Sequence, residues 1–437
     1  MALTLTQPDD PSYASATAGF NTAVTHAPDV VAVVGSTDEA VEAVDFAREQ
    51  GMPVSVQATG HGALAPVGSG MLVTTGGLEE IKVFDRFARL GAGTRWGAVV
   101  SAAAEQGLFP ITGSAPTVGT AGLLLGGGLG PFARSHGFCS DYLIGATVVT
   151  GTGEVVDAGD PTHADLLWAL RGGKYGLGLV TELRVRLVPL ARFYAGAHFF
   201  AEDDIEAALR GWIDWTAGAD PRVTTSAAIV RFPPFDAVPA PLRAKRLLAL
   251  RFAVPGVGDE AAALAAPLRA VAPVYLDALG EMPSTDVARI HSDPTEPGPS
   301  WVQGMLLDAA DQDLATAVLD RAGDSPFIAV ELRHLGEATR RDVEGGSAVG
   351  GRAAAFSLGV VGVDPRQFET ELPQAAERLT VSVDRWLSSE NNVNLMGLPA
   401  TTERLAACWP GDVRKRLDDV RRTYDPDGVF AVPAALR

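Results

Sequence analysis

The sequence predicts an α+β protein of two modules and a tail. Over the first 190 residues, short apolar strand patterns alternate with helical patterns and glycine-rich turns. From residue 191 to 385, longer strand patterns are separated by alanine-rich helical stretches, as in an antiparallel sheet that carries helices. A charged helical pattern follows. We therefore expect domains at residues 1–190 and 191–385 and a C-terminal segment at 386–437.

The first module opens with a strand–helix–strand pattern. Val30–Val34 is a continuous apolar run, as in a buried strand. Ser36 and Glu39 form a capping-box pattern at the start of an amphipathic helix, and Pro53–Gln57 alternates as the next strand. The turn Gly60-His61-Gly62 follows directly. This module therefore places a histidine at the exit of a strand.

The rest of the first module is predicted to form short strands and one further helix. A hairpin is indicated around Gly151-Thr-Gly153. The predicted strands are Leu72–Thr74, Ile81–Phe84, Phe87–Ala92, Ala146–Thr150, Glu154–Asp157 and Leu179–Val188, and the helix is Trp96–Gln106.

Four strands are predicted in the second module, namely Phe193–Phe200, Arg222–Phe232, Arg246–Val254 and Phe327–Leu335. Helical patterns at Asp203–Ala219 and Glu260–Val271 separate them. The segment Gly280–Pro299 is rich in Pro, Ser, Asp and Glu, so we expect an irregular surface loop there. In the tail, Gly411–Thr423 is predicted to be a helix.

The composition excludes several classes of partner. The chain has 437 residues and a formal net charge of −18, so it lacks the basic face that nucleic acids and anionic membranes require. Cys139 and Cys408 are the two cysteines, and their separation indicates neither a disulfide framework nor a zinc site. No signal-peptide pattern and no apolar run of roughly 18 residues is present. We expect a cytoplasmic protein without a metal; its oligomeric state stays open.

The segment from Thr112 to Gly130 is unusually dense in glycine, and we call it the glycine segment. Consecutive uncovered amides can bind a phosphate, because glycine leaves the backbone accessible. Neither a Walker pattern nor a complete Rossmann fingerprint is present. Spacing alone therefore leaves two alternatives, a nucleotide-binding backbone or a glycine-rich packing turn.

His61 is one of seven histidines and lies between two glycines. A surface or hinge histidine is the simplest interpretation, but the flanking glycines give a ligand access to the imidazole. No Cys, His, Asp or Glu accompanies it at metal-ligand spacing, which argues against a metal. Covalent attachment of a cofactor and acid–base chemistry remain.

The order of these motifs resembles the berberine bridge enzyme-like flavoproteins of the vanillyl-alcohol oxidase/p-cresol methylhydroxylase superfamily of FAD-dependent oxidases. The motifs are Gly60-His61, the glycine segment, Arg134 to Asp141, Leu167 to Gly173, Gly178 to Thr181 and, in the tail, Tyr424-Asp-Pro-Asp-Gly-Val-Phe430. The resemblance implies a two-part FAD-binding domain of the p-cresol methylhydroxylase type, with an inserted substrate domain on an antiparallel sheet. The C-terminal segment would return to the FAD domain.

The resemblance also implies a reaction. A hydride would pass from a C–H bond of a small organic alcohol or amine, such as a secondary metabolite, to flavin N5, and dioxygen would reoxidise the flavin. A dehydrogenase with another acceptor and a non-catalytic flavin-binding relative stay open as alternatives. His61 matches the histidine that the family links to the flavin. Many relatives carry a second link through a cysteine, but Ala115 stands at that position, so we expect one covalent bond.

By the same resemblance, the FAD-binding residues fall into three groups along the chain. The turn after the second strand contributes Gln57, Ala58, Thr59, Gly60, His61, Gly62 and Leu64. The glycine segment contributes Gly113, Thr117, Val118, Gly119, Ala121, Gly122, Gly126, Gly127, Gly128 and Gly130. Later positions are Gly178, Val180 (near the adenine), Asn392 and Asn394.

The catalytic residues are less defined, because the tyrosine of the family's Tyr-x-Asn tail motif is replaced by Asn392. This version resembles the asparagine-containing tail of one family member, and Asn392 could orient a neutral amine. Further candidates are Glu331 and His334 on a predicted strand, where alternation puts Glu331 and Arg333 on one face and His334 on the other. The alternative is an internal ion pair and a packed ring.

Overall fold

The computed structural model describes residues 3–397 and 400–433, and its first sheet has four strands in the order β1-β2-β4-β3. The strands β2, β4 and β3 are parallel, and β1 is antiparallel to β2. The predicted cap is present, because the Ser36 hydroxyl accepts a hydrogen bond from the Glu39 amide at 3.1 Å. The bounds are β1 Leu5–Thr6, β2 Val30–Val33, β3 Val54–Gln57 and β4 Met71–Thr74, with helices α1 Tyr13–Thr17 and α2 Thr37–Glu49.

The second sheet is antiparallel and centres on the long strand β10, Leu179–Val188. Its order is β5-β6-β10-β8-β9, and β7 also pairs with β10. The other strands are β5 Ile81–Val83, β6 Phe87–Gly91, β7 Phe109–Pro110, β8 Leu143–Val149 and β9 Val155–Asp157. Helices α3 Trp96–Ala104, α4 Thr120–Leu124, α5 Ala133–His136 and α6 Ala164–Leu170 belong to this part of the chain.

The third sheet has eight antiparallel strands in the order β14-β11-β13-β12-β17-β18-β16, with β15 paired to β11. Its strands are β11 Arg192–Phe200, β12 Thr224–Arg231, β13 Arg246–Pro255, β14 Val274–Asp277, β15 Gly280–Pro283, β16 Trp301–Leu307, β17 Ala329–His334 and β18 Phe356–Gly362. The helices of this part are α7 Ile205–Thr216, α8 Asp259–Arg269, α9 Gln312–Ala322 and α10 Glu371–Ser382. The predicted α+β class is confirmed.

The two faces of the eight-stranded sheet pack against different partners. One face shares a core with α7 to α10, to which Leu250 and Phe252 of β13 contribute. Ala253 follows Phe252 in β13, so its side chain points to the other face, where it joins the core that includes Leu124 of the glycine segment. This second face therefore covers the part of the molecule that carries the predicted flavin motifs.

The tail packs back onto the first sheet. The Val54 amide donates to the Val429 carbonyl at 2.8 Å, and the Ala431 amide donates to the Val54 carbonyl at 2.8 Å. The tail helices are α11 Val393–Met396, α12 Thr402–Ala406 and α13 Gly411–Tyr424. The predicted domain boundaries at residues 190 and 385 stay predictions, and the last four residues of the predicted C-terminal segment lie outside the described residues.

The second module contains four strands that the sequence did not predict, β14, β15, β16 and β18. The expectation of an irregular loop over Gly280–Pro299 is wrong in its first half, where β15 is followed by a 3-10 helix at Ser284–Ile290. Glycines obscured the pattern of β16 and β18. A Cβ atom at Gly304 of β16 would collide with the Leu395 carbonyl, so the glycine permits a close backbone approach.

Candidate active site

The glycine segment lies against the turn that carries His61. The Thr59 hydroxyl accepts a hydrogen bond from the Gly119 amide at 3.1 Å, which ties the two pieces together. At Gly127 and Gly128 the backbone has φ of 100° and 77°, a conformation that favours glycine. The segment is therefore shaped by backbone geometry and leaves little room for side chains.

His61 lies in this turn with its ring stacked on Phe20, at 3.6 Å between ring centroids. The backbone of Thr117 hydrogen-bonds to the ring, whereas Nε2 is buried and has no partner within the described residues. Burial lowers the pKa of His61 to about 4. At neutral pH the imidazole is therefore uncharged, which leaves a nitrogen lone pair for bond formation.

Lys174 is a site residue that the sequence analysis missed. Its Nζ donates to Asn394 Oδ1 at 2.5 Å and lies near Gly62, beside His61. Burial lowers the pKa of Lys174 to about 8, and no carboxylate forms a salt bridge with it in the described part of the chain. The signal available in the sequence was its position directly after Gly172-Gly173 in a chain with few lysines.

The two tail asparagines lie against the glycine segment. Asn394 Nδ2 donates to the Leu123 carbonyl at 2.8 Å. Asn392 is buried, its Oδ1 accepts from the Asn394 amide at 3.0 Å, and its Nδ2 lies next to Gly127. The structure thus brings the predicted tail residues and the glycine segment together.

Glu331 forms an ion-paired cluster on the sheet face that covers the glycine segment. Its Oε1 accepts from Arg251 Nη1 at 2.6 Å and from the Ser226 hydroxyl at 2.7 Å, and its Oε2 accepts from Arg333 Nε at 2.8 Å. We call Arg251, Glu331 and Arg333 the Arg–Glu–Arg cluster. The two arginines hold the pKa of Glu331 well below its usual range against the effect of burial. This geometry argues against Glu331 as a general base.

His334 points to the opposite face, as the alternation of β17 predicted. Its ring stacks on Phe356 at 5.0 Å between centroids, and Arg134 Nη1 lies 2.9 Å from its Nε2. Arg134 also donates to the backbone carbonyl of Val223 at 2.8 Å. Burial and the charge of Arg134 lower the pKa of His334 to about 3. His334 is thus a neutral acceptor for a buried guanidinium, and this position does not favour a catalytic base.

The remaining predicted residues have mixed surroundings. Gln57 is buried and donates through Nε2 to the Ala18 carbonyl at 3.2 Å, which leaves it a structural role. Gly178 directly precedes β10, and Val180 lies in β10 and pairs with Val148 of β8. The other predicted flavin residues lie in the turn or in the glycine segment, at Ala58, Gly60, Leu64, Gly113, Val118, Ala121, Gly122, Gly126 and Gly130.

A flavin fits these surroundings on three observations. His61 presents a buried nitrogen that has no partner within the described residues. The glycine segment leaves open space beside Gly122, where no atom of the described chain lies within 4 Å of a Cβ position, and Lys174 supplies a partly buried cation. In the described part of the chain, no group of three or more Cys, His, Asp or Glu could hold a metal ion. No helix there is long and apolar enough to cross a bilayer.

Comparison with known proteins identifies the cofactor domain. Residues 28–159 match the model of an FAD binding domain. The chain is 34% identical to (R)-6-hydroxynicotine oxidase of Paenarthrobacter nicotinovorans over 174 residues, which are 38% of this chain and 37% of that protein. It is 33% identical to glucooligosaccharide oxidase of Sarocladium strictum over 170 residues, 37% of this chain and 34% of that protein. The matches span between about a third and half of these and similar curated relatives.

Solved structures match over the whole chain. One is 6-hydroxy-D-nicotine oxidase from Arthrobacter nicotinovorans, with a TM-score of 0.83, 22% identity and coverage of 98% of this chain and 96% of that chain. Another is the BBE-like 1 protein of Physcomitrella patens, with a TM-score of 0.85, 18% identity and coverage of 100% and 97%. These identities establish the fold alone. The chain carries an FAD binding domain and has the fold of the berberine bridge enzyme-like flavoproteins of the vanillyl-alcohol oxidase/p-cresol methylhydroxylase superfamily, as its motifs predicted.

Proposed function

We propose that the protein is an FAD-dependent oxidase that removes a hydride from a C–H bond of a small alcohol or amine. The observation that carries this proposal is the unpartnered nitrogen of His61, held against the glycine segment within the FAD binding domain. When bound, the flavin supplies the electron chemistry, and dioxygen is the proposed acceptor of its electrons.

One covalent link, through His61, is proposed. The uncharged imidazole is the nucleophilic form of the side chain, and burial keeps it in that form at neutral pH. Ala115 cannot form the second link of the family. Cys139 is buried under Gly128, and burial raises the pKa of its thiol, so it stays protonated and unreactive.

The backbone of the glycine segment and Lys174 would hold and tune the cofactor. The Lys174 ammonium has one amide acceptor, Asn394 Oδ1, and no anionic partner within the described residues. A partly buried cation is stabilised by nearby negative charge. We therefore assign Lys174 to stabilising the charge that the flavin gains on reduction.

Substrate orientation is assigned to Asn392. Its Nδ2 lies next to Gly127 and donates to no acceptor within the described residues. Because Glu331 and His334 are held as an ion pair and a hydrogen-bond acceptor, neither is placed to remove a proton. A neutral amine, which needs no strong base, suits this arrangement. Unchanged turnover in an Asn392→Ala variant would contradict a role of Asn392 in substrate orientation.

The proposal is tested by the visible spectrum of the purified protein, followed by acid precipitation. We expect a yellow protein whose colour stays in the pellet. His61→Ala should release the colour to the supernatant, whereas the control His163→Ala, whose ring bonds Tyr424 elsewhere, should retain it. A colourless protein that takes up no added FAD would contradict the proposal.

The choice between an oxidase and the alternatives needs a second experiment. Reoxidation of the reduced protein in air, followed by stopped-flow absorbance, should be fast for an oxidase. Slow reoxidation would indicate a dehydrogenase with another acceptor. A bound flavin that no alcohol or amine reduces would indicate a non-catalytic relative.

A further inference from the structure

The Arg–Glu–Arg cluster carries more positive than negative charge. Arg251 and Arg333 contact one carboxylate, Glu331. His291 lies 3.8 Å from Glu331, and burial and the two arginines lower its pKa to about 3, so it adds no charge at neutral pH. Asp293 acts electrostatically on Arg333 from a distance, but no salt bridge joins it to either arginine.

Several hydrogen-bond donors of the cluster are unused. Arg333 binds Glu331 through Nε and Nη2, and Arg251 binds it through Nη1. Within residues 3–397 and 400–433, no group accepts from Arg333 Nη1 or from Arg251 Nε and Nη2. Both side chains stay partly accessible, at 26% and 13%. The guanidinium fork matches the geometry of a carboxylate, so the free donors form an anion-binding surface.

Register sets the positions of these residues. Ser226 pairs directly with Arg251 on one side and with Arg333 on the other, which puts the two guanidinium groups on neighbouring rows of one sheet face. The carboxylate of Glu331 lies between them and fixes both. The arginines are therefore preorganised, and a ligand need not order them.

A narrow cavity connects the cluster to the glycine segment. Leu129, Gly130 and Pro131 line one side, and Arg251, His291 and Arg333 line the other. The loop after His291 reaches the His61 turn, because the Gly298 amide donates to the Phe20 carbonyl and Phe20 stacks on His61. Asp293 in this loop acts electrostatically on both His61 and Arg333.

We infer that Arg251 and Arg333 bind an anionic group of the substrate, so that the substrate class is small organic acids that carry an oxidisable C–H bond. The inference rests on the proposed function, because it places the anion beside the proposed flavin site. Glu331 acts as a positioning residue that holds the two arginines apart.

The experiment compares benzoate with its neutral analogue benzamide as probes. Each is titrated into the FAD-loaded full-length protein, with binding measured by calorimetry and by the change in flavin absorbance. We expect benzoate to bind at least about tenfold more tightly than benzamide, since one charged hydrogen bond is worth about that factor. Equal affinities, or no binding of benzoate, would overturn the inference.

Three variants and one control sharpen the test. Arg251→Met and Arg333→Met should each weaken benzoate by about 10- to 100-fold and leave benzamide unchanged. Glu331→Gln should tighten benzoate, because it removes the competing negative charge while its amide oxygen still accepts a hydrogen bond from an arginine of the cluster. The control Arg366→Met changes an exposed arginine at 89% accessibility and should change neither affinity. If an arginine variant fails to fold, the direction of the Glu331→Gln effect decides.

The flavin content separates this inference from the proposed function. A yellow protein that binds benzoate no more tightly than benzamide would overturn the anion site without contradicting the proposed oxidase. If the protein takes up no FAD, benzoate binding can be measured by calorimetry alone. Tight binding of benzoate in that case would support the anion site and contradict the proposed oxidase.

Discussion

The glycine segment and the Arg–Glu–Arg cluster face each other but are built by different means. The glycine segment is continuous in sequence, and backbone conformation at Gly127 and Gly128 shapes it. The cluster and its partner Ser226 come from three strands, with residues up to 107 positions apart, and strand register brings them together. The cofactor side is thus specified locally, whereas the substrate side depends on the global pairing of a sheet.

The largest effect is expected from filling the glycine segment. A Cβ atom at Gly130 would collide with the Thr112 carbonyl, and backbone cannot move aside as a side chain can. Gly130→Ala should therefore give protein without flavin or no folded protein, as judged by absorbance and thermal unfolding. The control Gly218→Ala adds a Cβ atom where no atom lies within 4 Å, so it should retain both. A fully loaded Gly130→Ala protein would contradict the close approach.

Acid should weaken the hydrogen bond between Arg134 and His334, which lies on the sheet face opposite the Arg–Glu–Arg cluster. His334 has a native pKa of about 3 against 6.5 in the unfolded chain, so the native state binds fewer protons in between. The stability contribution is complete above about pH 6.5 and is lost as the pH falls toward 3. We expect the melting temperature to fall over this range, and to fall less in His334→Gln, which keeps an acceptor for Arg134. If the melting temperatures of the unmodified protein and of His334→Gln fall in parallel with pH, His334 is not the source of the acid sensitivity.

The Lys174→Met variant tests whether the charge of Lys174 stabilises negative charge on the flavin. Sulfite adds to oxidised flavin and leaves negative charge on the ring, so its affinity reports on nearby cations. We expect the variant to bind sulfite about tenfold more weakly at pH 7, by loss of one charge at short range. Because Lys174 loses its charge above pH about 8, the advantage of the unmodified protein should disappear there. The exposed Lys415→Met is the control, and equal sulfite affinity in Lys174→Met would exclude the assigned role.

The smallest effect is expected at Ser226. Its hydroxyl donates to Glu331 in a cluster that already has two guanidinium donors. Ser226→Ala should lower the free energy of unfolding by about 1 kcal/mol, measured by denaturant titration, and should keep the flavin. A loss of several kcal/mol would show that the cluster depends on the hydroxyl for more than one hydrogen bond.

Much of the fold and of the flavin side could be predicted because their signals are local. The Ser36 cap, the turn at His61 and the glycine segment each depend on neighbouring residues. The strands β16 and β18 were missed because glycines interrupt the strand pattern, namely Gly304 in β16 and Gly359 and Gly362 in β18. Lys174, at φ 58° in a loop, was missed because its burial depends on Asn394, 220 residues away.

The most direct test of the flavin assignment is peptide mass mapping of the purified yellow protein. We expect flavin attached to the peptide that contains His61 and unmodified peptides for Cys139 and Cys408. An unmodified His61 peptide, with all of the flavin released by acid or attached to a cysteine, would contradict it.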